Sequence, residues 1–230
     1  MGVNSGDLPF DRIRELGAGS AGRVWLVETR EPWAGLAAGT RLALKEHRGP
    51  DAAPGAQAAL LREAQVAQQV AGEGLPKLVH LESSEAGPRL YFEFVPGPAL
   101  DEILAEQGPL PEPQVRRLGA QLARALATLH TAGWAHGDVK PANIRLDDNA
   151  AAAPLDLGGA QREGESHPPT GTLPSLSPDR IRGTPPSPAA DMLALGLAFP
   201  HLTAPTPPLH PAPRKPCGPA PSLHALPVRS

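Results

Sequence analysis

His136-Gly137-Asp138-Val139-Lys140-Pro141-Ala142-Asn143 is the stretch on which the reading of this chain turns. It sets five rare residue types in eight positions, and the chain's own residue frequencies put its chance occurrence at roughly one in 10⁵. A plain loop does not ask for that pattern. Two aspects of its chemistry stand out. A carboxylate, an ammonium group and a carboxamide (Asp138, Lys140 and Asn143) lie within six residues. A proline in their midst stiffens the backbone that carries them.

The surroundings of that stretch limit what it can serve. Two hundred and thirty residues suffice for one domain with a core, or one and a half. Lys and Arg total 21 against 24 Asp and Glu, a net charge of −3, so no whole-chain field favours nucleic acid or an anionic lipid surface. The single cysteine, Cys217, excludes an internal disulfide framework and a cysteine-built zinc site. No segment reads as a signal peptide or reaches the ~20 apolar residues of a spanning helix, so the expectation is an intracellular, soluble, cytoplasmic protein that engages neither nucleic acid nor membrane.

Upstream, short strand-like runs alternate with turns. Phe10 to Leu16, Arg23 to Thr29, Arg41 to Glu46, Lys77 to Leu81 and Arg89 to Val95 read as strands. Gln57 to Ala71 reads as a helix, its Leu60, Ala64, Ala67 and Val70 recurring at helical spacing. That combination predicts a mostly antiparallel sheet with one helix against it. Beyond it, Val115, Leu118, Leu122, Leu126 and Leu129 form one stripe of a longer helix ending near Gly133. Short strands are expected at Asn143 to Asp147 and Pro154 to Leu157, although Pro154 removes a ladder donor. A last apolar helix is expected from about Ala189 to Phe199. From Pro200 to Ser230 there are ten prolines in 31 residues without any period, which reads as an irregular tail.

Between the first two strands lies Gly17-Ala18-Gly19-Ser20-Ala21-Gly22-Arg23-Val24. Glycines let a backbone approach a polyphosphate with its N–H groups unobstructed. Alone the run is a weak signal, since a hairpin turn uses the same residues. Strands on both sides argue against a dinucleotide-binding turn, which would open a helix.

The segment from His136 to Asn143 resembles the catalytic loop of protein kinases, H-R-D-x-K-P-x-N, with Gly137 where Arg is usual. The closest likeness is to the serine/threonine kinases that bacteria share with eukaryotes. Other landmarks follow in order. The glycine run is similar to the kinase nucleotide loop, which implies that Leu16, Gly17, Ala18, Gly19, Ser20, Ala21, Gly22 and Val24 hold ATP. Leu42-Ala43-Leu44-Lys45 resembles the V-A-I-K strand, with Lys45 on the α/β-phosphates and Glu63, 18 residues on, as its partner. A solvated helix carboxylate is the other reading of Glu63. Phe92-Glu93-Phe94-Val95 resembles the hinge, so the backbone of Glu93 and Val95 would meet adenine, with Phe92 as gatekeeper. Asp156-Leu157-Gly158 resembles D-F-G. Gly171-Thr172 through Ser177-Pro178-Asp179 resembles the end of the activation segment, with Ser175 where Tyr is usual. Asp191 to Gly196 resembles the helix that supports the catalytic loop.

The resemblance implies an α+β, two-lobed fold with an N-terminal antiparallel sheet plus helix and an incomplete helical C-lobe. It implies a catalytic domain over 8–199, with an N-lobe to about 95, a partial C-lobe over 96–199, and a tail over 200–230. It implies transfer of the γ-phosphate of ATP to a Ser or Thr hydroxyl of a protein substrate. Asp138 would orient the hydroxyl and accept its proton, Lys140 would stabilise the γ-phosphoryl, and Asn143 and Asp156 would hold Mg²⁺.

Three departures bear on function. Gly137 removes the arginine that pairs with a phosphorylated activation loop, so activity independent of phosphorylation at Thr170 or Thr172 is expected. Leu157 for Phe is a mild apolar exchange. The resemblance stops near Phe199, about 190 residues long, so Leu193, Leu195, Leu197 and Phe199 are expected to lie against little and to call for a covering partner. Two other readings stay open. A small-molecule phosphotransferase of the aminoglycoside or choline kinase type also uses a His-Gly-Asp loop, though without Lys140-Pro141. A truncated kinase-like protein that binds nucleotide or a partner without turnover is the non-enzymatic alternative.

Overall fold

A computed structural model describes residues 9–18, 22–47, 55–72, 74–84, 87–146, 152–154, 156–162, 165 and 185–203. The chain divides into two compact units, one of Met1–Gln69 with Pro76–Phe94, the other of Val70–Leu75 with Val95–Ser230.

The first unit is a five-stranded antiparallel sheet. Its strands are β1 (Phe10–Ala18), β2 (Arg23–Thr29), β3 (Arg41–Glu46), β4 (Leu78–Ser84) and β5 (Gly87–Glu93), in the order β1-β2-β3-β5-β4. Helix α1 (Ala56–Gln69) packs on β4 and β5. It buries Leu60, Ala64 and Ala67, the residues its periodicity pointed to, and also Glu63. Alternation in the strands supplies a second apolar layer, built on Phe10, Val27, Leu42, Leu44 and Tyr91. Trp33 closes this layer edge-on to Tyr91, with ring centroids 4.7 Å apart. Trp33 is held there by a two-residue turn in which it exchanges backbone hydrogen bonds with Leu36 at 3.0 and 2.8 Å. Ala34 and Gly35, both at positive φ (50° and 80°), give that turn the twist a hairpin needs.

The second unit is mainly helical: α2 (Leu100–Gln107), α3 (Glu112–Thr131) and α4 (Pro188–Thr203). Short strand pairs join β6 (Trp134–Ala135) to β9 (Gln161–Arg162) and β7 (Ile144–Leu146) to β8 (Ala152–Pro154). The stripe of α3 is buried at Val115, Leu118, Leu122, Leu126 and Leu129. Most of it joins one core with Leu100, Ile103, Val139, Ile144, Leu195 and Leu202. Ser187 opens α4 as its N-cap, accepting the Ala190 N–H at its hydroxyl at 3.1 Å, and Pro188 takes the first turn, where a missing N–H costs nothing. Among the described residues no helix is long and apolar enough to cross a membrane.

The structure corrects several expectations. Helix α4 does not stop at Phe199 but runs through Pro200 to Thr203, because its end is tied down: Leu202 is buried and its carbonyl accepts the Leu110 N–H at 2.7 Å. The irregular tail therefore cannot start at Pro200. Leu195 is not left bare; it is buried with Ala198 and Leu202 on one helical face, whereas Met192, Leu193 and Leu197, 46, 47 and 55% exposed, turn the other way. The side chain of Phe199 lies outside the described residues. Strand β8 ends at Pro154, so Asp156 and Leu157 stand beyond it rather than in a strand. Helix α2 and the β6–β9 pair had no counterpart in the sequence reading.

Candidate active site

In the first unit, β3 brings Lys45 to face α1. The residue pairs in register with Val24 on one side and Leu90 on the other. Its Nζ donates to Oε2 of Glu63 at 2.6 Å, with the two residues 8% and 1% exposed. Burial excludes the solvated reading of Glu63. Breaking a buried ion pair of this kind costs far more than breaking an exposed one, and that cost holds its geometry in place.

The run from Leu16 to Val24 spans the β1–β2 connection. Leu16, Gly17 and Ala18 end β1 and Val24 lies in β2, where it pairs with Gly17. Gly19, Ser20 and Ala21 lie outside the described residues. Gly22 is required by packing, because a Cβ there would run into the carbonyl of Glu46. Gly17 is not: a Cβ there would meet nothing. Phe92 is buried and lies opposite Ala43. Glu93 gives its backbone N–H to the Lys77 carbonyl at 2.9 Å, which commits that donor within the sheet, and Val95 is half-buried.

In the second unit the loop after β6 carries the polar cluster. Val139 points into the core and anchors the loop between the half-buried Asp138 and Lys140. Lys140 Nζ donates to Oδ2 of Asp138 at 2.7 Å. A single turn of 3₁₀ helix over Pro141–Asn143 brings Asn143 back toward Asp138. There its Nδ2 donates to the Asp138 carboxylate at 2.8 Å and to the Asp138 carbonyl at 2.9 Å. Asp138, Lys140 and Asn143 thus form one interlocked group. Asp156 accepts the Gly158 N–H at 2.9 Å, and Leu157 is fully buried, as an apolar residue at the Phe position requires.

Beneath the loop lies Asp191, which opens the segment whose resemblance implied a helix supporting the catalytic loop; the resemblance did not specify the atoms that make the support. Asp191, in the first turn of α4 and 2% exposed, accepts the backbone N–H groups of His136 at 2.6 Å and Gly137 at 2.8 Å, and lies 2.9 Å from His130 Nε2. Nothing in local spacing points to it, since 55 residues separate it from His136. Among the described residues no three His, Cys, Asp or Glu side chains gather into a metal cage. Mg²⁺ does not ask for one: it takes one or two carboxylates and completes its shell with phosphates and water. The carboxylate of Asp156 and the amide oxygen of Asn143 are hard donors of that kind. The segment from Gly171 to Asp179, with Thr170, lies outside the described residues.

Comparison with known proteins agrees with this arrangement. The family described as "Protein kinase domain" matches residues 10–216. The chain is 32% identical over 200 residues to a probable serine/threonine-protein kinase, PkwA, of Thermomonospora curvata, covering 83% of this chain and 26% of that protein. It is 31% identical over 209 residues to the serine/threonine-protein kinase AfsK of Streptomyces coelicolor, covering 88% and 25%. It is 32% identical over 161 residues to the serine/threonine-protein kinase PknB of Mycobacterium leprae, covering 64% and 26%. The chain spans about a quarter of the length of these curated relatives. With the family's match running through both units, the chain belongs to the protein kinase domain family.

Proposed function

We propose that this chain is an ATP-dependent serine/threonine protein kinase. The observation that carries the reading is the interlocked group of Asp138, Lys140 and Asn143 on a core-anchored loop. Phosphoryl transfer makes few covalent demands on a protein; it asks for positioning and for neutralised charge. Asp138 orients the acceptor hydroxyl and takes its proton as the oxygen bonds to the γ-phosphorus and the bond to the β-phosphate oxygen breaks, releasing ADP. Lys140, held beside Asp138, balances charge on the transferring group. Lys45, fixed by Glu63, holds the α/β-phosphates. The run from Leu16 to Val24 covers the nucleotide, and the backbone of Glu93 and Val95 takes the adenine. Asn143 and Asp156 hold Mg²⁺, which supplies positive charge to the nucleotide phosphates when bound.

An ATP-consuming reaction on proteins belongs in the cytoplasm. The catalytic domain begins near residue 8 and extends at least through α4, and the exposed apolar face at Met192, Leu193 and Leu197 is covered by a partner surface. The test is transfer of labelled phosphate from Mg-ATP to a basic Ser/Thr-containing protein, run beside transfer to an aminoglycoside and to choline. Label on the protein alone supports the reading. Label on the small molecule alone replaces it with a small-molecule phosphotransferase, and nucleotide-dependent thermal stabilisation without turnover replaces it with a binding role.

A further inference from the structure

Two glycines meet where the loop carrying Asp138 touches the turn after Asp156. Gly137 sits at φ +77°, and a Cβ there would stand 2.6 Å from the Gly159 carbonyl oxygen and 3.1 Å from the Pro186 ring. Gly159 mirrors it: a Cβ there would stand 3.2 Å from the His136 carbonyl oxygen and 3.3 Å from the Asp138 Cβ. These separations fall below the ~3.5–4.0 Å of comfortable carbon contacts. Main chain therefore rests on main chain, with no side chain between.

The loop has little room to yield. Its His136 and Gly137 N–H groups are fixed on the buried Asp191 carboxylate, and Val139 is locked into the core. A group added at Gly159 would press on Asp138 itself, in a segment held on both sides. Gly137 needs glycine for its backbone angle as well as for space. Gly159 does not, because its φ lies outside the left-handed range. Its small size is thus a matter of space alone, and the space it leaves is the one next to Asp138.

We propose that Gly137 and Gly159 are positioning residues, whose bare backbone contact sets where the Asp138 carboxylate stands relative to the turn that begins at Asp156. The inference rests on the phosphoryl-transfer reading above. Alanine at Gly159 is conformationally allowed and displaces Asp138 by a few tenths of an ångström. A misplacement of about 1 Å costs on the order of 10²-fold in rate, so a loss of about ten-fold in kcat is expected.

Steady-state kinetics of Gly159→Ala on the full chain decide it. The expected result is a kcat about ten-fold lower per folded molecule, with KM for Mg-ATP unchanged and the protein still fully folded at the assay temperature. Gly137→Ala, where strain and backbone clash combine, loses more activity and lowers the thermal midpoint as well. A wild-type kcat in Gly159→Ala overturns the inference and leaves the kinase reading standing. So does a fall in activity that only tracks loss of folded protein. A wild-type chain that binds Mg-ATP but never turns over overturns the kinase reading, and this inference with it.

Discussion

Asp191 accepts the backbone N–H of His136 at 2.6 Å across 55 residues of chain, and so joins the first turn of α4 to the loop that carries Asp138. The same carboxylate takes the N–H of the half-buried Gly137, satisfying both donors from a side chain that is itself 2% exposed. Asp191→Ala removes the acceptor of both amides, each costing roughly 1–3 kcal/mol where it stays unsatisfied. A loss of about 3 kcal/mol in denaturant unfolding is expected, together with a kcat lower than the folded fraction accounts for. Unchanged stability would mean that these amides find other acceptors.

The Lys45–Glu63 pair makes a different prediction, because both charges are withdrawn from water. Glu63→Gln removes the buried carboxylate that the Lys45 ammonium meets at 2.6 Å, and breaking a buried pair by one partner costs about 3–5 kcal/mol. Lys45→Met with Glu63→Leu removes both charges and is expected to recover most of that loss while leaving the chain inactive. Equal destabilisation in the single and double variants, measured by urea unfolding, would show that the charges are not coupled.

Tyr91 is the chain's only tyrosine, which makes its ionisation directly visible. Burial first, then the hydrogen bond to Glu82 at 2.8 Å, push its phenol far above the ordinary value of 10.0. The folded state therefore binds the phenolic proton more tightly than the unfolded chain does. This contribution to stability is complete below pH 10, the unfolded value, and is lost progressively as the pH rises above it. Near-ultraviolet phenolate absorbance is expected to appear only with unfolding. Tyr91→Phe is expected to flatten the alkaline fall of the thermal midpoint. Reversible phenolate formation near pH 10 in folded protein would contradict this.

On α4, Leu193 and Leu197 present apolar surface to solvent, while Leu195 one turn face away is in the core. Leu193→Gln with Leu197→Gln is expected to reduce self-association or partner capture, read by light scattering, without lowering the thermal midpoint. Leu195→Ala is expected to cost about 2–5 kcal/mol, as other core leucine truncations do. A midpoint lowered by the glutamine pair would mean that this face is already covered within the chain.

How far the sequence reveals these features depends on distance along the chain. The cluster of Asp138, Lys140 and Asn143 is legible because its members sit within six residues, in an improbable pattern that resembles the kinase catalytic loop. Lys45 and Glu63 are legible because Leu42-Ala43-Leu44-Lys45 resembles the family's V-A-I-K strand and Glu63 follows 18 residues on, in a segment whose period reads as helix. Helix α2 is not, being eight residues long, and its capping depends on Glu102 reaching back to the Ala99 N–H at 2.8 Å. The continuation of α4 through Pro200 is hidden too, since proline argues for an end and only a tertiary bond from Leu110 overrides it. The resemblance marks the helix of Asp191 as the loop's support, but the His136 and Gly137 amides it holds, and the close approach at Gly159, arise on folding and no residue type marks them.

The most direct measurement is mass-spectrometric quantification of phosphate incorporated from Mg-ATP by the wild-type chain, Lys45→Met and Asp138→Ala under identical conditions. Incorporation on Ser or Thr by the wild type, reduced by about 10²-fold or more in both variants while Asp138→Ala stays folded, is the predicted result. Equal incorporation by wild type and Asp138→Ala would contradict the account.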